Sequence, residues 1–132
     1  FQRGNGSQGK NGIFIVENKK KVKTFINIDL PSVQNIEATF TDAILVEDKI
    51  YFLAAVENSN STYNDGEILG TFLGTIDTEN LSLEKTILIS NNQKFEGITL
   101  FKQTNDELEF LLCEDADTEK LETTIYKVIL NK

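Results

Sequence analysis

Two stretches of this sequence are copies of one pattern. TDAILVEDKIYFLAAVEN (41–58) aligns with FEGITLFKQTNDELEFLLCED (95–115), so that Asp42 falls on Glu96 and Glu57 on Glu114. TFLGTID (71–77) then aligns with TIYKVIL (124–130), and VKTFINI (22–28) with EKTILIS (84–90). The order is therefore a trailing strand pair over 1–30, a complete unit over 36–90 and a last, incomplete unit over 95–132. A repeat of roughly fifty residues suits a four-stranded antiparallel sheet that has to stack on its neighbours to bury its faces.

The local pattern agrees. Apolar residues come in short runs rich in Ile, Val, Leu, Phe and Thr, broken by Asn, Asp, Gly and Lys clusters, and helical periodicity is absent. Strands are expected at 12–17, 22–29, 37–46, 49–57, 67–77, 82–90, 95–103, 107–114 and 123–131. Pro31, the only proline, falls in the link after the second of these, where a missing N–H costs nothing. AILV, YFLAAV and EFLLC are apolar at successive positions, which a sheet with one wet face would not need. KTFIN and EKTIL carry more polar residues, as an outer edge strand should. The expected fold is all-β: antiparallel four-stranded blades forming a partial β-propeller of about two to two and a half blades. The rival is one antiparallel barrel or sandwich of the same strands.

Composition removes several functions. A formal charge of −8 would repel a phosphate backbone, so no nucleic-acid partner is expected. The one basic cluster, NKKKVK (18–23), reads as a solvated sheet edge beside a turn. Histidine is absent, which removes Ser-His-Asp and Cys-His pairs and His-based zinc sites from anything this chain builds alone. Cys113 cannot form an internal disulfide and, set among leucines, reads as a small buried hydrophobe. No apolar run reaches membrane-spanning length, so insertion in a membrane is not expected. A chain that starts at Phe1 and holds no methionine is expected to be part of something longer.

The combination FTDAILVEDKIYFLAAVEN, NDGEILGTFLGTID, KFEGITL and FLLCEDADTEKLETTIYKVIL resembles the C-terminal part of a group of uncharacterised bacterial β-propeller proteins. That group is similar in turn to phytase-like esterase propellers, in which an EG-containing inner strand precedes a D-x-D loop and a closing strand. The resemblance implies further blades upstream and carries no reaction with it.

Candidate sites follow from the loops. GNGSQG (4–9) fits a dinucleotide fingerprint, and GNGSQGKN lies one residue from a phosphate loop. The first needs a helix after it, yet the β-type run IFIVE follows; the second needs Ser or Thr where Asn11 stands. Nucleotide binding is excluded. EDADTEK (114–120) is no EF-hand, because Lys120 takes the glycine position and Tyr126 the bidentate glutamate position. A looser calcium cage built on Asp115 and Asp117 is the metal reading, and a solvated acidic turn is the plainer one.

The aligned acids Asp42, Glu57, Glu96 and Glu114 sit at matching places in two units. They would either ring an opening that attracts a cation or basic ligand, or fix strand register through backbone hydrogen bonds. Tyr63 and Asp65, on the polar loop NSNSTYNDGE (58–67), would join a ligand rim. Two functions stay open. One is a ligand- or partner-binding module using this acidic loop face. The other, implied by the resemblance, is a calcium-dependent phosphoester hydrolase; its weakness is that Arg3 is the only arginine, so phosphate clamps would have to come from lysines or from further blades. A third class, a barrel carrying an apolar ligand, requires a closed single-chain barrel. Open blade edges predict self-association.

Overall fold

The computed structural model describes residues 1–3, 10–58, 66–115 and 124–132. The described residues hold no helix and eleven strands. β1 (Gly12–Glu17) and β2 (Lys21–Asn27) form a hairpin, and a second, miniature hairpin joins β3 (Ser32–Val33) to β4 (Ile36–Glu37). β5 (Thr39–Val46), β6 (Lys49–Asn58), β7 (Glu67–Asp77) and β8 (Leu83–Ser90) form a four-stranded meander in chain order. β9 (Phe95–Gln103), β10 (Glu107–Glu114) and β11 (Ile125–Asn131) form a three-stranded meander. Every named pairing is antiparallel. The fold is all-β with antiparallel blade-like sheets, a partial propeller-like array, and no sheet closes into a barrel among the described residues.

The sheets stack, and β6 shows why. Its YFLAAV run is buried at every position, which one covered face could not achieve. Phe52, Ala54 and Val56 point to one side, where they meet Ile13, Ile28, Leu30, Phe40 and Ile76 together with Ile26 from β2. Tyr51 and Leu53 point to the other, where they meet Phe95, Ile98, Leu108, Phe110 and Leu112 of the β9–β11 sheet. The four-stranded sheet is thus the filling between two others. Removing this much apolar surface from water, at about 25 cal/mol per Å², is the main force that holds the array together.

Gly74 on β7 lies opposite Phe52, and a Cβ there would land in the ring, against Cζ, Cε1 and Cε2. The ring uses the missing side chain as its seat.

Two expectations need correction. EFLLC does not bury both sides: Leu108, Phe110 and Leu112 are buried, whereas Leu111 and Cys113 alternate onto a face that no further sheet of the described residues covers and are half-buried. Within AILV, Leu45 is 62% exposed while Val46, the next residue and so on the opposite face of β5, is buried against the β9–β11 sheet. KTFIN and EKTIL do lie outermost, as β2 beside β1 and β8 at the edge of the meander. The β3–β4 hairpin was not expected. It is pinned by Ala38 N–H donating to Pro31 O at 2.8 Å, and Gln34 and Asn35 turn it with φ of 52° and 65°.

Candidate functional site

β5 and β9 are the first strands of neighbouring sheets, and both begin at the same end of the stack. β6 and β10 finish there, and the β8–β9 connection, residues 91–94, crosses there. This end collects the charged residues.

At its centre is Lys94, whose side chain is only 9% exposed. Its Nζ lies 3.2 Å from Glu96, 3.6 Å from Asp115 and 3.7 Å from Glu57. The backbone fixes the position: Lys94 O accepts from Asp115 N–H at 2.9 Å, and the neighbouring Gln93 O accepts from the buried Thr71 hydroxyl at 2.6 Å. Burial works against the ammonium, but the hydrogen bond to Glu96 and the charges of Glu96, Glu57 and Asp115 outweigh it, holding the pKa above its ordinary 10.5. Lys94 is a cation locked among carboxylates.

Arg3 reaches the same group from the strand pair side. Gln2 bridges Gly12 of β1, so Arg3 stands where the chain leaves the β1–β2 sheet. Its guanidinium is 3.9 Å from Glu57 and 4.0 Å from Glu96, and its side chain is 45% exposed. Those separations are too long for direct hydrogen bonds. Arg3 also borders an opening of about 290 Å³ lined by Phe1, Phe40, Thr41, Asp42 and Ala43. Phe1 caps this opening edge-on against Phe40, with ring centroids 4.9 Å apart.

The sequence-aligned acids part company here. Asp42 is a joint between sheets: Oδ1 accepts from Ala43 N–H at 2.8 Å, and Oδ2 accepts from Ile98 N–H of β9 at 2.9 Å. Thr41 adds a second tie, its hydroxyl donating to Phe95 O at 2.7 Å. Glu96, its aligned partner, faces Lys94 and Arg3 instead. Glu57 accepts from Gly66 N–H at 2.8 Å and sits between Arg3 and Lys94. Glu114, aligned with Glu57, turns the other way and accepts from the Tyr126 hydroxyl at 3.0 Å, while Gln93 donates to that same oxygen at 2.6 Å. The bond to Glu114, with burial, raises the Tyr126 pKa above its ordinary 10.0. So Glu57 and Glu96 come together, whereas Asp42 and Glu114 serve as ties.

Of the metal pair, Asp115 is engaged by Lys94, and Asp117 lies outside the described residues, as do Tyr63, Asp65 and the glycine loop 4–9. Among the described residues no group of three or more Asp, Glu or Cys has a metal-holding arrangement. Lys94 and Arg3 are the members that sequence reasoning missed. The available signal was a lysine directly before an EG strand, with glutamate two positions on.

Comparison with known proteins adds one match, running over residues 1–130, to a family of unknown function, DUF6929. The chain belongs to that family. The match reaches all four sheets and every residue of the charged cluster, so the cluster lies wholly inside the family's region. No curated protein and no solved structure matches the chain. No helix among the described residues is long and apolar enough to cross a membrane.

Proposed function

We propose that this chain is a binding module that takes a cationic group, an amine or guanidinium on a small molecule or a protein side chain, at the end of the stack where Glu57, Glu96 and Asp115 converge. One observation carries the reading: three carboxylates from two sheets surround a single buried ammonium, and the second positive charge, Arg3, is half-exposed and too distant for hydrogen bonding. Glu96 and Asp115 keep 34% and 35% of their side chains in solvent, so their oxygens are reachable. Arg3 behaves as a resident stand-in that a better-placed cation displaces. The adjoining opening, with Phe1 and Phe40 beside Thr41 and Asp42, receives the apolar body of such a ligand.

The phosphoester hydrolase alternative gains no such observation. The Lys94 ammonium occupies the middle of the carboxylates, where a calcium ion would have to sit, so that reading rests on the resemblance alone.

Spermidine is a suitable probe, titrated calorimetrically at low ionic strength because exposed charge pairs are screened by salt. Glu96→Gln should weaken binding about tenfold, the loss of roughly one charge-assisted contact. Arg3→Ala should tighten it, since the internal competitor is gone. Absence of binding heat for the wild type, or weaker binding in Arg3→Ala, would remove the proposal.

A further inference from the structure

Residues 1–3 lie across the charged end of the stack as a bound peptide would. Gln2 exchanges two backbone hydrogen bonds with Gly12: its N–H donates to Gly12 O at 2.7 Å, and Gly12 N–H donates to Gln2 O at 3.2 Å. Gly12 pairs with Asn27 of β2 on its other side, so the tripeptide is a short antiparallel strand added to the free edge of β1. On an extended chain, side chains two positions apart share a face, about 6.5 Å from one another. Phe1 and Arg3 accordingly line the same opening, and the exposed Gln2 between them does not. The ring meets Phe40 edge-on, and the guanidinium points at Glu57 and Glu96. The seat is loosely filled. Phe1 is 53% exposed, and the guanidinium stops 3.9 Å and 4.0 Å from the two carboxylates, beyond hydrogen-bond reach.

Taking the site to bind cations as proposed above, we infer that its ligand is an extended peptide carrying an aromatic residue followed two positions later by arginine or lysine, and that this peptide replaces residues 1–3 as the strand on β1. A bare amine satisfies the carboxylates alone. The peptide also supplies a ring for Phe40 and a backbone for Gly12, with ring and charge held at the spacing the opening already accepts. Strand addition at a sheet edge takes its affinity from main-chain hydrogen bonds and its selectivity from alternate side chains. Exchange breaks the two Gly12 bonds and makes them again, so a ligand whose cation reaches Glu57 and Glu96 directly gains on the resident segment. Beyond Gly12 the same edge of β1 has no strand partner among the described residues, which leaves room for residues preceding the aromatic one.

The probe is acetyl-Phe-Gln-Arg-amide, and acetyl-Phe-Arg-Gln-amide is its control. Composition and charge are equal, but the exchange throws the guanidinium onto the opposite face of the strand. Each is titrated at low ionic strength into the isotope-labelled chain and followed by amide NMR. The probe should bind at least about tenfold more tightly than the control, the value of roughly one charge-assisted contact, and should shift the Gly12 amide. In the double variant Phe1→Ala, Arg3→Ala the resident competitor is weakened, and probe affinity should rise about tenfold. Equal binding of the two peptides, an unmoved Gly12 amide, or no gain in the double variant would overturn the assignment. Where spermidine binds and the peptides fail these tests, the peptide reading falls and the cation site stands; where spermidine itself does not bind, both fall.

Discussion

The Asp42 joint is the sharpest place to test how the sheets are held together. Asp42→Ala removes two N–H···O⁻ bonds, to Ala43 at 2.8 Å and to Ile98 at 2.9 Å. Hydrogen bonds to charged groups contribute about 1.5–3 kcal/mol each, and a buried donor left without an acceptor costs about 1–3 kcal/mol. The Ala43 bond is local and water replaces much of it. Ile98 is only 8% exposed, so its N–H has poor access to water and bears most of the loss. The expected total is about 2–3 kcal/mol. With a urea m-value of about 2 kcal/mol/M for a domain of this size, the midpoint should fall by about 1–1.5 M. Asp42→Asn keeps one acceptor and turns the other position into a donor facing an N–H, so it should recover little. Amide exchange supplies the local readout, with Ile98 losing protection beyond the drop in global stability. A midpoint shift under about 0.3 M, or an Ile98 amide whose protection only tracks the global change, would refute Asp42 as the clasp between sheets.

Gly74→Ala should lower stability by about 2–3 kcal/mol, or roughly 10 °C in melting temperature, because its Cβ would strike the buried Phe52 ring. Adding Phe52→Leu should cost less than the sum of the two single changes, and strict additivity would disprove the ring-seat account. For Lys94, whose folded pKa lies above its unfolded 10.5, the charge contributes its stabilisation fully below pH 10.5 and loses it as pH rises through the folded value. The gap in urea midpoint between wild type and Lys94→Met should therefore be widest at about pH 8 and close toward about pH 12, and a gap independent of pH would show that the ammonium is not what stabilises.

The strand boundaries were legible because the sequence writes them twice. Short β-branched and aromatic runs such as IFIVE and the Asn, Asp and Lys turns between them act locally, and the observed β7, β9 and β10 match the expected spans residue for residue. The double-sided YFLAAV run also foretold stacking, since only a sheet covered on both sides keeps six consecutive residues dry. EFLLC carries the same message in its composition but not in its burial. Composition reports what a face could bury, whereas burial depends on whether another sheet is there to cover it.

The charged end of the stack was less legible, and the reason is physical. Alignment equates Glu57 with Glu114, and a ladder irregularity falls immediately before each of them, but against the following strand β7 in one sheet and against the preceding strand β9 in the other. The matching letters therefore meet different neighbours, one against Lys94 and one against Tyr126. Lys94 gives a sequence reader almost nothing, because lysine is normally solvated and its burial here depends on three carboxylates brought in from β6, β9 and the end of β10. Removing Lys94 would take the central counter-ion from those acids, and among the described residues Arg3 is the other cation near Glu57 and Glu96. The same arrangement therefore ties the sheets together and, on the proposed function, leaves one exchangeable cation position at their edge. An ammonium fixed by burial supplies the tie, and the proposed function requires that the guanidinium, at 4.0 Å from Glu96, give way to a ligand's better-placed charge.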